Sequence, residues 1–373
     1  MRITIVGAAY PFRGGIAHHA ALLYRALAAR HDVRIVTFTR QYPAFLFPGK
    51  TQNEEGDTES FRVPSEAMVD SVNPLSWIRA GRRIRAHRPD LLLLNYSLPF
   101  FGPCFGTIAR IVRRGGNTRV VYLCHNVIPH EPRPGDRAFA RFAFGAADAF
   151  VVQAHAVERE LLDFLPGART VYVPHPEYHG FGDAVPSAEA RQRLRLGTGH
   201  VLLFFGYVRR YKGLHVLLDA MAIVRRTLDV QLLVVGEFYD DETPYREQIR
   251  RLALEHAVTI WSGYIPSNEV KYFFCGADAA VLPYTSATQS GIAQIAYHFD
   301  LPVIATDVGG LAEVVRDGDT GIVVAPGDAA LLAAGIIRYF TACDREKMRR
   351  AVAEEKKQYS WDRLVAALEE LMR

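Results

Sequence analysis

The stretch Val201-Leu202-Leu203-Phe204-Phe205-Gly206-Tyr207-Val208-Arg209-Arg210-Tyr211-Lys212-Gly213 decides how the rest of the chain is read. Five consecutive apolar residues predict a short strand buried on both faces, as in parallel sheets. A glycine ends it, three basic residues follow, and a second glycine precedes a helix-length segment. Strand, tight turn and helix make half of a parallel crossover unit. Cations this crowded repel one another unless an anion arrives. A diphosphate suits them, since arginine offers a bidentate fork and lysine a point charge. Plain surface charge is the competing account, and Arg210 fits it.

The same rhythm runs outward in both directions. Downstream, strands are expected at 200–206, 230–236, 257–261, 278–282, 302–306 and 321–324, with helices at 213–227, 244–255, 267–276, 290–299 and 328–341. Upstream, strands are expected at 2–7, 32–38, 59–63, 90–94, 118–124, 148–152 and 170–173, with helices such as 16–29, 74–87, 103–114 and 154–164. The Pro-, His- and Gly-rich stretch 174–186 interrupts the pattern and reads as a linker. Strands alternating with helices predict an α/β protein with two Rossmann-like, doubly wound parallel-sheet domains facing a cleft. A length of 373 residues agrees with two domains.

Composition narrows the class further. With 49% hydrophobic and 23% charged residues, the chain is not disordered. Cys104, Cys124, Cys275 and Cys343 form no C-x-x-C pair and read as free thiols of a reducing compartment. Met1 to Gly7 reads as a first strand, not a signal peptide. Residues 91–109 carry no charge, but Asn95, Ser97, Pro99, Gly102, Pro103 and Gly106 break them into strand, loop and helix rather than a membrane span. The net charge of +4 hides an asymmetry: residues 1–175 hold 22 basic and 14 acidic residues, and 176–373 hold 22 and 26. The basic excess concentrates in Trp77 to Arg88, with Arg110, Arg113 and Arg114 beyond. Apolar Trp77, Ile78 and Ile84 interleave with these arginines. Such a segment suits anionic lipid head groups or a phosphorylated substrate, or is a solvated helix face. No nucleic-acid reading motif accompanies it.

In parallel sheets, ligands sit beyond the carboxyl ends of the strands. After the first strand comes Gly7-Ala8-Ala9-Tyr10-Pro11-Phe12-Arg13-Gly14-Gly15. The dinucleotide fingerprint G-x-G-x-x-G is absent, which disfavours a dehydrogenase. Two glycines at a helix N-terminus suit an anion, although a loop needing positive φ would also use them. After the fifth strand comes Cys124-His125-Asn126-Val127-Ile128-Pro129-His130-Glu131, which places an imidazole where it can orient or relay a hydroxyl proton. Pro283-Tyr284-Thr285-Ser286-Ala287-Thr288-Gln289-Ser290-Gly291-Ile292-Ala293 ends in an N-cap type, so the N–H groups of Gly291 and Ile292 are expected to face an anion. Gly309-Gly310 and Glu313 follow a later strand. Asp317-Gly318-Asp319 reads as a turn, not a metal-binding D-x-D, and no metal site is expected.

Together these segments resemble the retaining glycosyltransferases of family 4, which have the GT-B fold, and within them a bacterial polysaccharide or glycan branch. The most specific pieces are Phe205-Gly206 to Lys212-Gly213, Val235-Gly236, Ser262-Gly263-Tyr264-Ile265-Pro266, and Leu301 to Thr306 with Gly309-Gly310-Leu311 and Glu313. The resemblance implies an acceptor domain at 1–178, a nucleotide-sugar domain at 185–357 and a helix at 358–373, opened by Ser360-Trp361-Asp362, that crosses back. It implies that Lys212, with Arg209, neutralises the diphosphate and that His125 lies near the transferred sugar. Gly14, Gly15, Gly206, Gly236, Ile265, Gln289, Ser290, Gly291 and Ile292 would bind the donor, and Asn95, Tyr96, Asn126 and His130 the acceptor. No cofactor is implied beyond the nucleotide-sugar co-substrate, and transfer would need no metal.

This sequence departs from the family in two places. Tyr207 stands where many members have the arginine, and the two usual glutamates are replaced by Ala287 and Ile295. A nucleotide-sugar epimerase and a non-catalytic sugar-nucleotide-binding protein are the alternative readings. The apolar Leu98-Pro99-Phe100-Phe101 and the basic first half suggest a glycan or lipid-linked acceptor, in the cytoplasm or peripheral on the inner face of an anionic membrane. Nucleic acid is not an expected partner.

Overall fold

A computed structural model describes residues 1–43, 52–54, 59–129 and 133–372. It divides into two compact units, one of residues 1–54, 59–176 and 360–373 and one built on 177–359. Each is a parallel sheet flanked by helices.

The first unit runs β1 (Arg2–Val6), α1 (Gly15–Ala28), β2 (Asp32–Arg40), β3 (Glu66–Asp70), α2 (Pro74–Ala86), β4 (Leu91–Tyr96), α3 (Gly102–Arg113), β5 (Arg119–Cys124), α4 (Asp136–Phe144), β6 (Ala149–Val152), α5 (His155–Phe164) and β7 (Thr170–Tyr172). Its strand order is β3-β2-β1-β4-β5-β6-β7. The second runs α6 (Ser187–Leu194), β8 (His200–Phe205), α7 (Leu214–Val224), β9 (Val230–Gly236), α8 (Thr243–Arg251), β10 (Val258–Ser262), α9 (Val270–Gly276), β11 (Ala279–Leu282), α10 (Gly291–His298), β12 (Val303–Thr306), α11 (Leu311–Val314), β13 (Gly321–Val324), α12 (Ala329–Thr341) and α13 (Arg345–Glu355), with order β10-β9-β8-β11-β12-β13. The last helix, α14 (Trp361–Leu371), belongs to the first unit, where Asp362 pairs with Arg30 at 2.9 Å and Glu369 with His31 at 3.0 Å.

Every residue of β4 is buried, as expected of a central parallel strand covered on both faces. The order reverses between β1 and β4 in one unit and between β8 and β11 in the other. Ligands of open α/β sheets bind at such switch points. The loops after β1 and after β8, singled out from their glycines, both stand there.

Several expectations need correction. Residues 59–63 are not a strand: Glu59–Phe61 is a 3-10 turn, Phe61 stacks on His18 with ring centroids 3.8 Å apart, and Pro64 cannot donate to a ladder. The edge strand is β3, whose Glu66-Ala67-Met68-Val69-Asp70 is too polar to stand out. Helix α8 stops at Arg251, with Ala253 at a left-handed φ of +53°. The apolar side of α2 faces inward: Ile84 is buried, and the Trp77 indole donates to Asp70 O at 2.6 Å. Leu75 in its first turn and Val72 just before it are exposed. Pro99 and Phe101 are buried, Phe100 stacks on Tyr42, and half-buried Leu98 packs against the same core, so the apolar 98–101 segment is turned inward.

Among the described residues no helix is long and apolar enough to cross a membrane. All four cysteines are free, and Cys104, Cys124 and Cys275 are buried. Asp317-Gly318-Asp319 is a turn, with the Gly318 N–H on Gly321 O and Asp317 paired to Arg338 at 3.0 Å.

Candidate active site

In the second unit, the loop after β8 is folded tightly against its neighbours by glycines. Gly206 has φ +100°, and its N–H donates to Val235 O at 2.9 Å. A Cβ at Gly236 would stand 2.1 Å from Gly206 O, so the ends of β8 and β9 approach in a way that excludes any side chain. The N–H of Gly263 donates to Gly236 O at 3.2 Å, which hangs the loop carrying half-buried Ile265 from the same strand end. Tyr211 O accepts from the Thr285 N–H and hydroxyl at 2.7 and 3.1 Å, pinning the basic turn to the end of β11.

Lys212, Tyr284 and the start of α10 converge there. Lys212 Nζ lies 5.6 Å from the centre of the Tyr284 ring. Both Nζ and Ile292 Cδ1 would be 3.3 Å from a Cβ on Gly206. Ser290 caps α10 by accepting from the Ile292 N–H at 3.3 Å, and its hydroxyl lies 3.4 Å from that of Tyr284. The Ile292 N–H, expected to face an anion, is therefore engaged by its own cap. Gly291 packs beside Tyr178, and Gln289 is half-buried in the preceding loop.

Half-buried Arg209 sits over Tyr239 at 4.2 Å and Tyr211 at 5.3 Å, while Arg210 is exposed. Burial, and then the Arg209 charge, push the Lys212 ammonium down to about 8. Neither Arg209 nor Lys212 is splayed into bulk solvent.

The positions of the missing glutamates are explicit. The Ala287 carbonyl lies under Gly309, where a Cβ would meet it at 1.8 Å. Ile295 is buried in α10. Beside it Gln294, which sequence reasoning passed over, is 1% exposed, with both amide ends lacking a protein partner among the described residues.

In the first unit, Gly14 (φ +99°) precedes α1, which opens at Gly15, and accepts from the His18 N–H at 3.0 Å. His125 is buried directly after β5, with Nε2 2.5 Å from Asn95 Oδ1. His19 meets it edge-on at 5.0 Å, and His175 and Trp361 pack on His19 at 5.2 and 5.0 Å. Gln153 Nε2 donates to His19 Nε2 at 3.1 Å. Burial, with the neighbouring ring of His175, pushes His125 down to about 3; burial pushes His175 to about 4 and His19 well below its usual value. All three are neutral at pH 7.

His19, Gln153 and His175 were missed from sequence, although inspecting the residues after β6 and β7, as was done after β5, would have found the latter two. Asn126 donates weakly to Ser97 O at 3.4 Å. Tyr96, expected to meet an acceptor, is instead a core residue: it is fully buried against Tyr122 and Phe144, with its hydroxyl on Val127 O. His130 lies outside the described residues. Among those residues, no group of three His, Cys, Asp or Glu side chains could hold a metal ion.

Residues 14–176 match the family described as "Glycosyl transferase 4-like domain", and residues 199–342 match "Glycosyl transferases group 1". The chain is 28% identical to the D-inositol 3-phosphate glycosyltransferase of Acidothermus cellulolyticus over 95% of its own length and 84% of the relative's. It is 26% identical to the glycogen synthase of Mycobacterium tuberculosis, covering 90% of this chain and 85% of that one. Among solved structures it is similar to Anabaena HepE in complex with UDP, with a TM-score of 0.77 at 20% identity, covering 99% of each chain.

Proposed function

The chain belongs to the group 1 glycosyl transferases and is a glycosyltransferase of GT-B fold, and from that premise we propose that it transfers a sugar from a nucleoside-diphosphate donor with retention and without a metal. The donor is held by the second unit and the acceptor by the first. As the bond from sugar to phosphate breaks, positive charge grows on the anomeric carbon and negative charge on the departing diphosphate. Lys212 and Arg209 neutralise that charge, and the acceptor hydroxyl attacks on the face the diphosphate leaves, giving its proton to the departing phosphate oxygen.

Gly206, Gly236, Ile265, Gln289, Ser290, Gly291 and Ile292 shape the donor pocket, with Gly14 and Gly15 as further donor contacts. His125 lies at the transferred sugar and Asn126 near the acceptor. Losing one preorganised charge partner costs about 10²–10³ in rate.

One observation carries this reading. Lys212 is half-buried beside Arg209, and among the described residues no carboxylate offsets the effect of burial on its charge. A diphosphate restores that charge, which gives the site a reason to bind one. The test is a thermal-shift panel of UDP-, GDP- and ADP-sugars on the wild type and Lys212→Ala. One nucleotide class should raise the wild-type midpoint and leave the variant unmoved. Equal shifts in both proteins would remove the phosphate site. Turnover unchanged by EDTA, and a product with the donor's anomeric configuration by NMR, complete the reading.

We further infer a glycan or lipid-linked acceptor at the cytoplasmic face of an anionic membrane. Supporting it, α2 and α3 carry no carboxylate and α4 only the buried Asp136, while Arg79, Arg82, Arg83 and Arg85 are exposed. Exposed Leu75, Val72, Phe139 and Phe142 accompany them. Basic surfaces with apolar anchors bind anionic bilayers.

A further inference from the structure

Asn95 and His125 come from neighbouring parallel strands. Asn95 pairs with Leu123, and the His125 N–H donates to Tyr96 O at 2.9 Å. Alternation sends Tyr96 into the core and Asn95 to the opposite face of the sheet. There Asn95 is wedged, because a Cβ on Gly7 would lie 2.8 Å from Asn95 Cβ. Only glycine lets β1 come so close. At 2% exposure Asn95 is poorly placed to touch an acceptor, but its Oδ1 is 2.5 Å from His125 Nε2.

An amide oxygen accepts and never donates, so Nε2 carries the hydrogen and Nδ1 holds the lone pair. The neighbouring rings adopt the other tautomer. His19 Nε2 accepts from Gln153, and His175 Nδ1 donates to Pro176 O at 2.8 Å. Since burial keeps these rings neutral, the tautomer decides what each can offer a hydroxyl group.

Resting on the reading that His125 meets the transferred sugar, we propose that Asn95 is a positioning residue that fixes His125 as an Nε2–H imidazole with Nδ1 as its accepting nitrogen. His19, held by Gln153, is the edge-on wall that keeps the ring in plane. Asn95 thus acts through His125, in place of the acceptor contact expected from sequence.

Long-range ¹H–¹⁵N NMR on histidine-labelled full-length protein tests this, with His125→Gln assigning the signal. The wild-type ring should be neutral and protonated at Nε2. Asn95→Asp retains an acceptor and should keep that tautomer, while its carboxylate raises the titration of His125 and adds a new acidic dependence to turnover. Asn95→Leu, and Asn95→Ala should the larger side chain impair folding, remove the acceptor and should shift the ring toward Nδ1–H.

With the nucleotide-sugar that gives the thermal shift above, kcat should fall about 10–100-fold, the usual cost of losing a partner that orients a functional imidazole, with KM for that donor nearly unchanged. A wild-type ring protonated at Nδ1 overturns the proposal. So does a changed tautomer with wild-type kcat. Absence of wild-type turnover with every nucleotide-sugar would instead count against the transfer reading, and the tautomer comparison would still decide the role of Asn95.

Discussion

The ammonium of Lys212 stands 3.3 Å from the point where a Cβ on Gly206 would be placed. Gly206 also has φ +100°, a conformation that other residues adopt only with strain. We predict that Gly206→Ala displaces the Lys212 head group and weakens binding of the nucleotide that gives the thermal shift at least tenfold, with a melting midpoint only a few degrees lower. Calorimetric titration with that nucleotide checks it, and wild-type affinity would refute the proposed contact.

The depressed Lys212 titration gives a pH signature. In the unfolded chain the amine titrates near its ordinary value of 10.5, and in the fold near 8. Between those values the unfolded state holds more protons, so stability rises with pH across that window. Binding an anion goes the other way, because a diphosphate needs the charged amine. Affinity for the nucleotide should therefore fall as pH rises through about 8 in the wild type, and Lys212→Arg should remain flat there. Parallel slopes for the two proteins would count against Lys212 as the phosphate contact.

The His19, His125 and His175 cluster predicts acid sensitivity. Unfolded imidazoles take up protons near pH 6.5, whereas folded His125 does so near 3 and His175 near 4. As pH falls from 6.5 toward 4, the unfolded state binds more protons and stability is lost. The slope is about 1.4 kcal/mol per pH unit for each fully neutral histidine. Urea titrations at pH 7, 6 and 5 measure it, and a flat profile would contradict neutral burial.

Gly213 offers a test of how the basic turn is held. At φ +71°, a Cβ there would collide with Pro283 O at 1.9 Å. Gly213→Ala should destabilise the fold by about 2–4 kcal/mol, combining left-handed strain with a backbone clash. An unchanged melting curve would mean that the turn is not pressed against the end of β11.

The basic face of the first unit should bind vesicles containing phosphatidylglycerol and not those of phosphatidylcholine alone, with binding lost at high salt. Arg79→Gln and Arg82→Gln should each weaken it about fivefold, and Phe139→Ser with Phe142→Ser should weaken it without changing its salt dependence. Co-sedimentation measures both. Equal binding to neutral vesicles would remove the electrostatic part of the idea.

Much of this was legible in one dimension because parallel sheets write themselves into sequence. Buried runs such as Val201 to Phe204 read as apolar stretches, and Gly206, Gly213 and Ser290 mark turns and caps by local backbone physics. Those rules concern a residue and its chain neighbours, so they located the strand ends and the basic turn. They failed where the deciding partner is distant. The polar edge strand β3 is recognisable only by its pairing with β2.

The sequence by itself thus determined the alternation of strands and helices, the two-part organisation and the segment holding Arg209 and Lys212, since each follows from short-range patterning. Only the tertiary structure decided that Tyr96 packs into the core while Asn95, one residue earlier, meets His125, and that His19, Gln153 and His175 gather from separate elements around it. The reason is geometric: which face of a central strand meets which neighbour depends on pairing across the sheet, and a strand buried on both faces carries no polar alternation to reveal it.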